Sequence, residues 1–420
     1  MRFGYFAGAR AAVCVCLLFA SLGSSALAGD EALPGVAAAV RQAWARHPSA
    51  EATERTLAAA RARAQAAGQP LYNPEFEFGV EDEGEERSTT AGLGWTLDLS
   101  GKRRARAALG QAALSLAEAE AMQRRAQFAL GWLQAWAERL AAVDRVRLGE
   151  QRVVLVERFA DLADRQQAVG DISTLERDLA YLARDEARAE QAALQSDAAV
   201  AEEAFRSVGG IVDEAPPPTA VPPAGPNGGV EATSIPESRV AAATATSSQH
   251  QVAVAQRERR PDPTVHITTG RIDLGSVSDN VLGLSVSVPL FVRNPYRAEL
   301  TAAHADAGAA DAERRRVDIE VVARAERTQR TYAATRAAWI QWSQSRGTDV
   351  TARSDLLERL WRAGEISTAD YLTQLKQTLD TALAGAELRG RLWRSYVDML
   401  YATGQIEGWV GFDSNSEVIP

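Results

Sequence analysis

Cysteine is almost missing from this chain. Its 420 residues include two, Cys14 and Cys16, and both lie in an apolar run near the N-terminus. That run, Ala11 to Leu22, follows Arg2 and Arg10 and precedes Ala26-Leu27-Ala28, the layout of a secretory signal with a small-residue cleavage site. Residues 1–28 are therefore expected to be a signal peptide. Cleavage leaves no disulfide and no N-terminal cysteine to carry a lipid, which suits an oxidising compartment outside the cytoplasm.

Lysine is scarce as well, with Lys102 and Lys376 the only two, and no basic tract exists. Without the signal, 44 Lys and Arg stand against 55 Asp and Glu, a net charge of −11. An acidic chain of this kind argues against nucleic acid as a partner. Past Ala28 no apolar run reaches the ~20 residues of a spanning helix. Entry into a membrane is then open only to a closed β-barrel, the other structure that satisfies its own backbone in lipid. Enzyme signatures are missing too: there is no G-x-S-x-G, no phosphate loop and no H-E-x-x-H. The four histidines, His47, His250, His266 and His304, are scattered without metal-ligand spacing. No enzyme, no cofactor and no metal site is expected.

Proline is absent from Arg103 to Val169, where glycine occurs only at Gly110, Gly131 and Gly149. About 65 helical residues at 1.5 Å each span about 100 Å, as one helix or as two stacked end to end. Tyr296 to Ala363 repeats the feature, and Ser173–Val208 and Ser367–Thr403 read as shorter returning helices. Toward their ends the apolar period becomes seven: Leu148, Leu155, Leu162 and Val169, then Leu175, Leu182 and Ala189; Val350, Leu357 and Gly364, then Leu372, Leu379 and Ala386. A sustained period of seven predicts left-handed supercoiling. The tryptophans in these stretches (Trp132, Trp136, Trp339, Trp342, Trp361 and Trp393) read as packing residues.

What the chain does have is repetition. A joint reading A-V-G-D-I-S-T at Ala168–Thr174 returns as R-A-G-E-I-S-T at Arg362–Thr368. At the strand-to-helix corners Gly92-Leu93-Gly94 corresponds to Gly283-Leu284-Ser285, and Arg106-Ala107-Ala108-Leu109 to Arg297-Ala298-Glu299-Leu300. The expected organisation is a first strand-pair and helix-hairpin repeat over 29–209, a Pro-rich linker over 210–235, a second repeat over 236–403, and a loop-like tail over 404–420. The linker carries Pro216-Pro217-Pro218 and Pro222-Pro223, which break regular structure.

Four segments alternate as strands. Phe76, Phe78 and Val80 oppose Glu75, Glu77 and Glu81; Leu93, Trp95, Leu97 and Leu99 oppose Gly94, Thr96 and Asp98. Val265 and Ile267 oppose His266 and Thr268 until Arg271 interrupts the apolar face. Leu282, Leu284, Val286, Val288 and Leu290 oppose Gly283, Ser285 and Ser287. One apolar and one polar face fits lipid outside and water inside, but a half-buried sheet on a soluble core gives the same alternation. Four strands cannot close a membrane barrel, and an open sheet leaves unpaired edges in lipid. Three copies supply twelve strands with no edge, with Asp82–Thr90 and Asp273–Asn280 as polar outer turns. Glu75, Glu77 and Asp98 then face the barrel lumen, and Trp95 is the one interfacial anchor.

At the joints, Gly170 and Gly364 suit left-handed helix caps and Ser173 and Ser367 suit N-caps. Glu176 and Asp370 stand three residues after the serines, where a capping box places an acid. The same residues, Val169, Gly170, Asp171, Ile172, Ser173, Gly364, Glu365, Ile366 and Ser367, are candidates for a docking surface.

Strand pair, long helix, G-[DE]-I-S-T joint and Pro-rich linker, then the same again, resemble the TolC-type outer-membrane efflux channel family over nearly the whole mature chain. Asn73-Pro74-Glu75-Phe76-Glu77 and Leu99-Ser100-Gly101-Lys102-Arg103 are most similar to its CzcC-type heavy-metal branch. The missing lipid-anchor cysteine departs from several members. The resemblance implies a mainly α fold with β: a homotrimer whose twelve-stranded β-barrel, four strands per chain, sits in outer-membrane lipid. A long α-helical coiled-coil tunnel extends it into the periplasm of a Gram-negative-type cell. It also implies a periplasmic adaptor on the tips, a proton-driven inner-membrane pump, and divalent heavy-metal cations as the exported solute. A multidrug or protein-export duct shares the architecture, and a soluble periplasmic coiled-coil adaptor is the rival of another class. The family places an acid six residues after the second tip glycine at a periplasmic constriction. Asp370 holds that place, with Glu176 as its counterpart in the first repeat, while Thr373 stands where some members carry a second acid.

Overall fold

The computed structural model describes residues 34–84, 86–214, 221–225, 229–344 and 350–412. The expected signal peptide lies outside them. Two helices come first, α1 (Pro34–Arg46) and α2 (Pro48–Ala67). They are followed by β1 (Glu75–Glu83), β2 (Glu86–Thr96), α3 (Lys102–Val169) and α4 (Thr174–Ser207). The second half runs α5 (Pro236–Glu258), β3 (Thr264–Leu274), β4 (Val277–Ser287), α6 (Arg297–Ser343), α7 (Val350–Arg362), α8 (Thr368–Ala402) and α9 (Ile406–Val410). Each repeat thus carries a helix ahead of its strands, α2 or α5, packed along α3. Small residues permit the approach: a Cβ on Gly110 would lie 2.7 Å from that of Ala67.

α3 is one continuous helix of 68 residues, about 100 Å long. In the second repeat α6 runs to Ser343 and α7 from Val350, and residues 345–349 lie outside the described residues. Returning helices α4 and α8 start and stop within a residue of their expected bounds.

The four strands form one antiparallel sheet in the order β1-β2-β3-β4. Register sets the two faces. Phe76, Leu93, Ile267 and Leu284 share a row, as do Trp95, Val265 and Val286. On the other face Glu75, Gly94, His266 and Ser285 share a row, beside Glu77, Gly92, Thr268 and Gly283. The apolar face is open: Phe76 is 73 %, Leu282 80 % and Leu284 73 % exposed. On the polar face Gly92 and Gly94 are buried beneath their neighbours. A sheet resting on a soluble core would show the reverse, so that alternative is rejected. Among the described residues β1 and β4 each pair on one side only, which leaves two open sheet edges.

Two strand expectations need correction. The outer turns are tight rather than nine or so residues long, because pairing continues to Glu83↔Glu86 and Leu274↔Val277. Leu97, Leu99, Val288 and Leu290 continue the alternation but lie beyond the strand ends at Thr96 and Ser287. Pro289, lacking an N–H, cannot extend the ladder.

Two apolar cores hold the helices. The larger sits around the middle of α3, where Trp132, Leu133 and Trp136 meet Phe205, Tyr332, Trp393 and Tyr396. The tail expected as loop joins it: α9 buries Ile406 and Val410, Arg125 pairs with Glu407 at 3.1 Å, and Arg41 donates to the Val410 carbonyl. Ile406, Trp409 and Val410 fall at helical spacing, which is why this segment folds back; 413–420 lie outside the described residues. The linker is likewise less irregular than expected. Short 3-10 turns occur at Val212–Glu214 and Ala232–Ser234, and the Pro222 and Pro223 carbonyls accept from Arg336 and Tyr332. Residues 215–220 and 226–228, which include the triple proline, lie outside the described residues.

Candidate functional site

The polar sheet face carries two of the three expected lumen carboxylates. Glu75 and Glu77 lie on β1, in neighbouring rows with glycine opposite each on β2. Asp98 does not belong with them. It stands past the end of β2, and its carboxylate accepts from the backbone N–H groups of Lys102 at 2.9 Å and Arg103 at 2.7 Å. Partial burial opposes its charge, but these amides at the start of α3 hold the carboxyl below its ordinary pKa. The helix N-terminus claims it, because free N–H groups and the helix dipole favour an anion there. Beside it the buried Asp262 accepts from Tyr72 at 3.1 Å and pairs with Lys102 at 2.8 Å. This cluster fixes strands to helix.

At the other end the two joints lie side by side. Gly170 (φ +86) and Gly364 (φ +75) take the left-handed conformation expected of them. In each joint the residue after the glycine donates back, Asp171 to the Gln166 carbonyl at 2.9 Å and Glu365 to that of Leu360 at 3.0 Å. The Ser173 hydroxyl accepts from Glu176 N–H at 3.2 Å, and Glu176 accepts from Ser173 N–H at 2.8 Å, a complete capping box. At the second joint only half of the box forms: Ser367 accepts from Asp370 N–H at 3.1 Å, while the Asp370 carboxylate takes the Ser367 hydroxyl at 2.7 Å. Aspartate is one methylene too short to reach back with ease.

The two acids are therefore not equivalent. Asp370 is exposed and bonded only within its own cap. Glu176 accepts from Ser173 and also from Thr368 Oγ1 of the other joint at 3.3 Å. The buried Thr368 hydroxyl in turn accepts from the Trp361 indole N–H at 3.1 Å. Trp361, Thr368, Glu176 and Ser173 form a relay across both joints, which sequence reading missed because Thr174 and Thr368 look alike in the repeat. Beneath it, Phe159 stacks on Tyr371 at 4.2 Å and meets Trp361 edge-on at 4.7 Å. Burial, with Glu358 nearby, pushes the Tyr371 phenol up to about 12.

Bonds first from the Ser173 N–H and then from its hydroxyl hold Glu176 below its ordinary pKa. A depressed carboxylate stabilises the fold above its ordinary pKa and ceases to do so as pH falls through the lower folded value. The cap is thus complete at neutral pH and loosens in acid. Ser173→Ala should cost about 1 kcal/mol of local stability, seen as faster amide exchange in the first turn of α4 with no change around Trp132.

The period-seven residues behave differently in the two hairpins. Leu357, Leu379 and Ala386 are buried, whereas Val169, Leu175 and Leu182 are 72 %, 70 % and 66 % exposed. The first hairpin closes instead on Val156, Phe159, Ala163, Ala180 and Ala187, leaving a leucine stripe outward on α4. Farther from the tip, Arg152 reaches Glu190 of α4 and Asp380 of α8, tying both hairpins together.

No protein-family profile matches the chain. The nickel-cobalt-cadmium resistance protein NccC of Alcaligenes xylosoxydans xylosoxydans is 27 % identical over 304 residues, covering 68 % of this chain and 67 % of that one. The outer membrane protein VceC of Vibrio cholerae superposes with a TM-score of 0.70 at 17 % identity, over 88 % of this chain and 96 % of its own. The outer-membrane channel OprN superposes with a TM-score of 0.73 at 19 % identity, over 90 % and 91 %. The fold described above is the one these channels share.

Proposed function

We propose that this chain, which shares the fold of the outer-membrane channels VceC and OprN, is the exit duct of a tripartite efflux system of the TolC type that passes divalent heavy-metal cations. One observation carries the duct: an uncovered apolar sheet face with two open edges, joined to a helix of about 100 Å. Three copies close twelve strands in outer-membrane lipid. The leucine stripe of α4 meets a neighbouring subunit, and the helices line the periplasmic tunnel. The chain is a passive path, and its inner-membrane pump does the work.

The two joints, Val169–Ser173 and Gly364–Ser367, form the end that docks the periplasmic adaptor. Left-handed glycines and serine caps make them rigid, and the Trp361–Thr368–Glu176 relay holds both as one surface. Asp370, exposed and on the second joint, supplies a threefold acid ring at the constriction. Glu176, already committed to the relay, acts as a brace. Like charges drawn together favour a cation among them. Glu75 and Glu77 continue that preference in the barrel.

The metal assignment rests on the relative named for nickel, cobalt and cadmium resistance. A deletion strain tests it. Hypersensitivity to nickel, cobalt, cadmium or zinc, with drug and detergent tolerance unchanged, is the expected result. Sensitivity confined to drugs and detergents would keep the duct and overturn the metal assignment.

A further inference from the structure

We propose that Glu77 and His266, brought together across Gly94 on the polar sheet face, form a passing contact for borderline divalent transition-metal cations. The proposal takes the barrel assembly above as given, and through it the two side chains stand on the lumen wall.

Strands two apart in a sheet lie about 9.5 Å from each other. A histidine on β3 and a glutamate on β1 meet only if the strand between them has no side chain in the way. β2 meets that condition with Gly92 and Gly94, which occupy the rows of Glu77 and His266. A Cβ on Gly94 would lie 2.8 Å from both Nδ1 and Cε1 of His266, so the imidazole rests directly on this glycine. The ring is partly buried there, at 22 % side-chain exposure, while the Glu77 carboxylate stays 60 % exposed. Nδ1 and Oε1 are 4.0 Å apart, too far for a hydrogen bond. A tetrahedral ion bound by both at about 2.1 Å needs them about 3.4 Å apart, a closure that rotation of the 60 % exposed Glu77 side chain supplies.

The donor set decides the class of ion. Imidazole suits nickel, cobalt, copper and zinc, whereas magnesium and calcium favour oxygen ligands alone. Among the described residues no group of three or more His, Cys, Asp or Glu could hold a metal ion. Two donors per subunit therefore give brief occupancy, which is what a transport path needs: an ion must leave as readily as it enters. The four histidines, scattered along the sequence, gave no sign of this. The contact arises from sheet register and two glycines.

Single-channel currents of the purified trimer in planar bilayers test the pair, with Ni²⁺ titrated against Mg²⁺. Ni²⁺ should reduce the current at concentrations where Mg²⁺ does not. His266→Gln and Glu77→Gln should each raise the half-blocking Ni²⁺ concentration about tenfold, with Thr96→Ala unchanged. Equal block by both ions in the wild type, or unaltered Ni²⁺ block in both variants, would overturn the proposal. A wild-type measurement guards against variants that fail to assemble: Cu²⁺ added to the detergent-solubilised trimer should show nitrogen superhyperfine structure in its EPR spectrum, and its absence also overturns the pair. The two readings fail separately. Metal hypersensitivity of the deletion strain with unaltered block removes this contact and leaves the metal duct. His266-dependent block with a metal-tolerant deletion strain does the opposite.

Discussion

Leu284→Arg is expected to abolish the heat-resistant trimer in outer-membrane fractions, while Ser285→Arg, one residue along the same strand, leaves it intact. Leu284 is 73 % exposed in the row of Phe76, Leu93 and Ile267, flanked by Leu282 and Val286 on the same face. An arginine near the middle of a lipid-facing barrel wall costs about 2–4 kcal/mol. Three copies in one barrel bring this to about 6–12 kcal/mol, which rivals the whole stability of an ordinary domain. Ser285 lies in the row of Glu75, Gly94 and His266, where an added charge meets water. Heated and unheated gels of membrane fractions decide the matter. Equal trimer yields from the two variants would mean that the exposed face is not a lipid face, and the barrel would have to be abandoned.

That face was readable in advance because alternation is a local property written into every second residue. Its limits were not. Leu97, Leu99, Val288 and Leu290 keep the period, yet β2 ends at Thr96 and β4 at Ser287. The end of a strand is set by what the next element needs: Pro289 has no N–H to offer, and Asp98 is taken up by the first amides of α3. The outer turns erred in the opposite sense. Polar residues from Asp82 to Thr90 read as an outer turn, but backbone pairing needs no apolar side chain and continues to Glu83↔Glu86.

The helices show the same division. Caps at Gly170, Ser173, Gly364 and Ser367 are made by residues three to five apart, so sequence alone places them. A period of seven shows that a seam exists but not what fills it. For Leu357 and Leu379 it is this chain; for Leu175 and Leu182 the face is left open. Contacts between the hairpins, such as Arg152 with Asp380 or Thr368 with Glu176, join elements about 200 residues apart and leave no local trace.

Trp361→Ala is expected to melt the second tip without unfolding the rest. Trp361 is 5 % exposed, meets Phe159 edge-on and donates its indole N–H to Thr368. Losing such a side chain costs about 3–5 kcal/mol. Trp361 and Leu357 are the large buried side chains of α7, so the loss falls on it directly. Amide exchange in α7 should accelerate by roughly 10²–10⁴-fold, with exchange around Trp132 in the larger core unchanged. Trp361→Phe keeps an aromatic ring against Phe159 but leaves Thr368 one bond short, and about 1–3 kcal/mol is the expected cost. If the joints dock an adaptor as one rigid surface, Trp361→Ala should stop efflux while the trimer remains in the membrane. Unchanged exchange in α7 would show that something other than the Phe159–Trp361–Tyr371 core holds the tip. Lost exchange protection with normal efflux would separate tip rigidity from docking altogether.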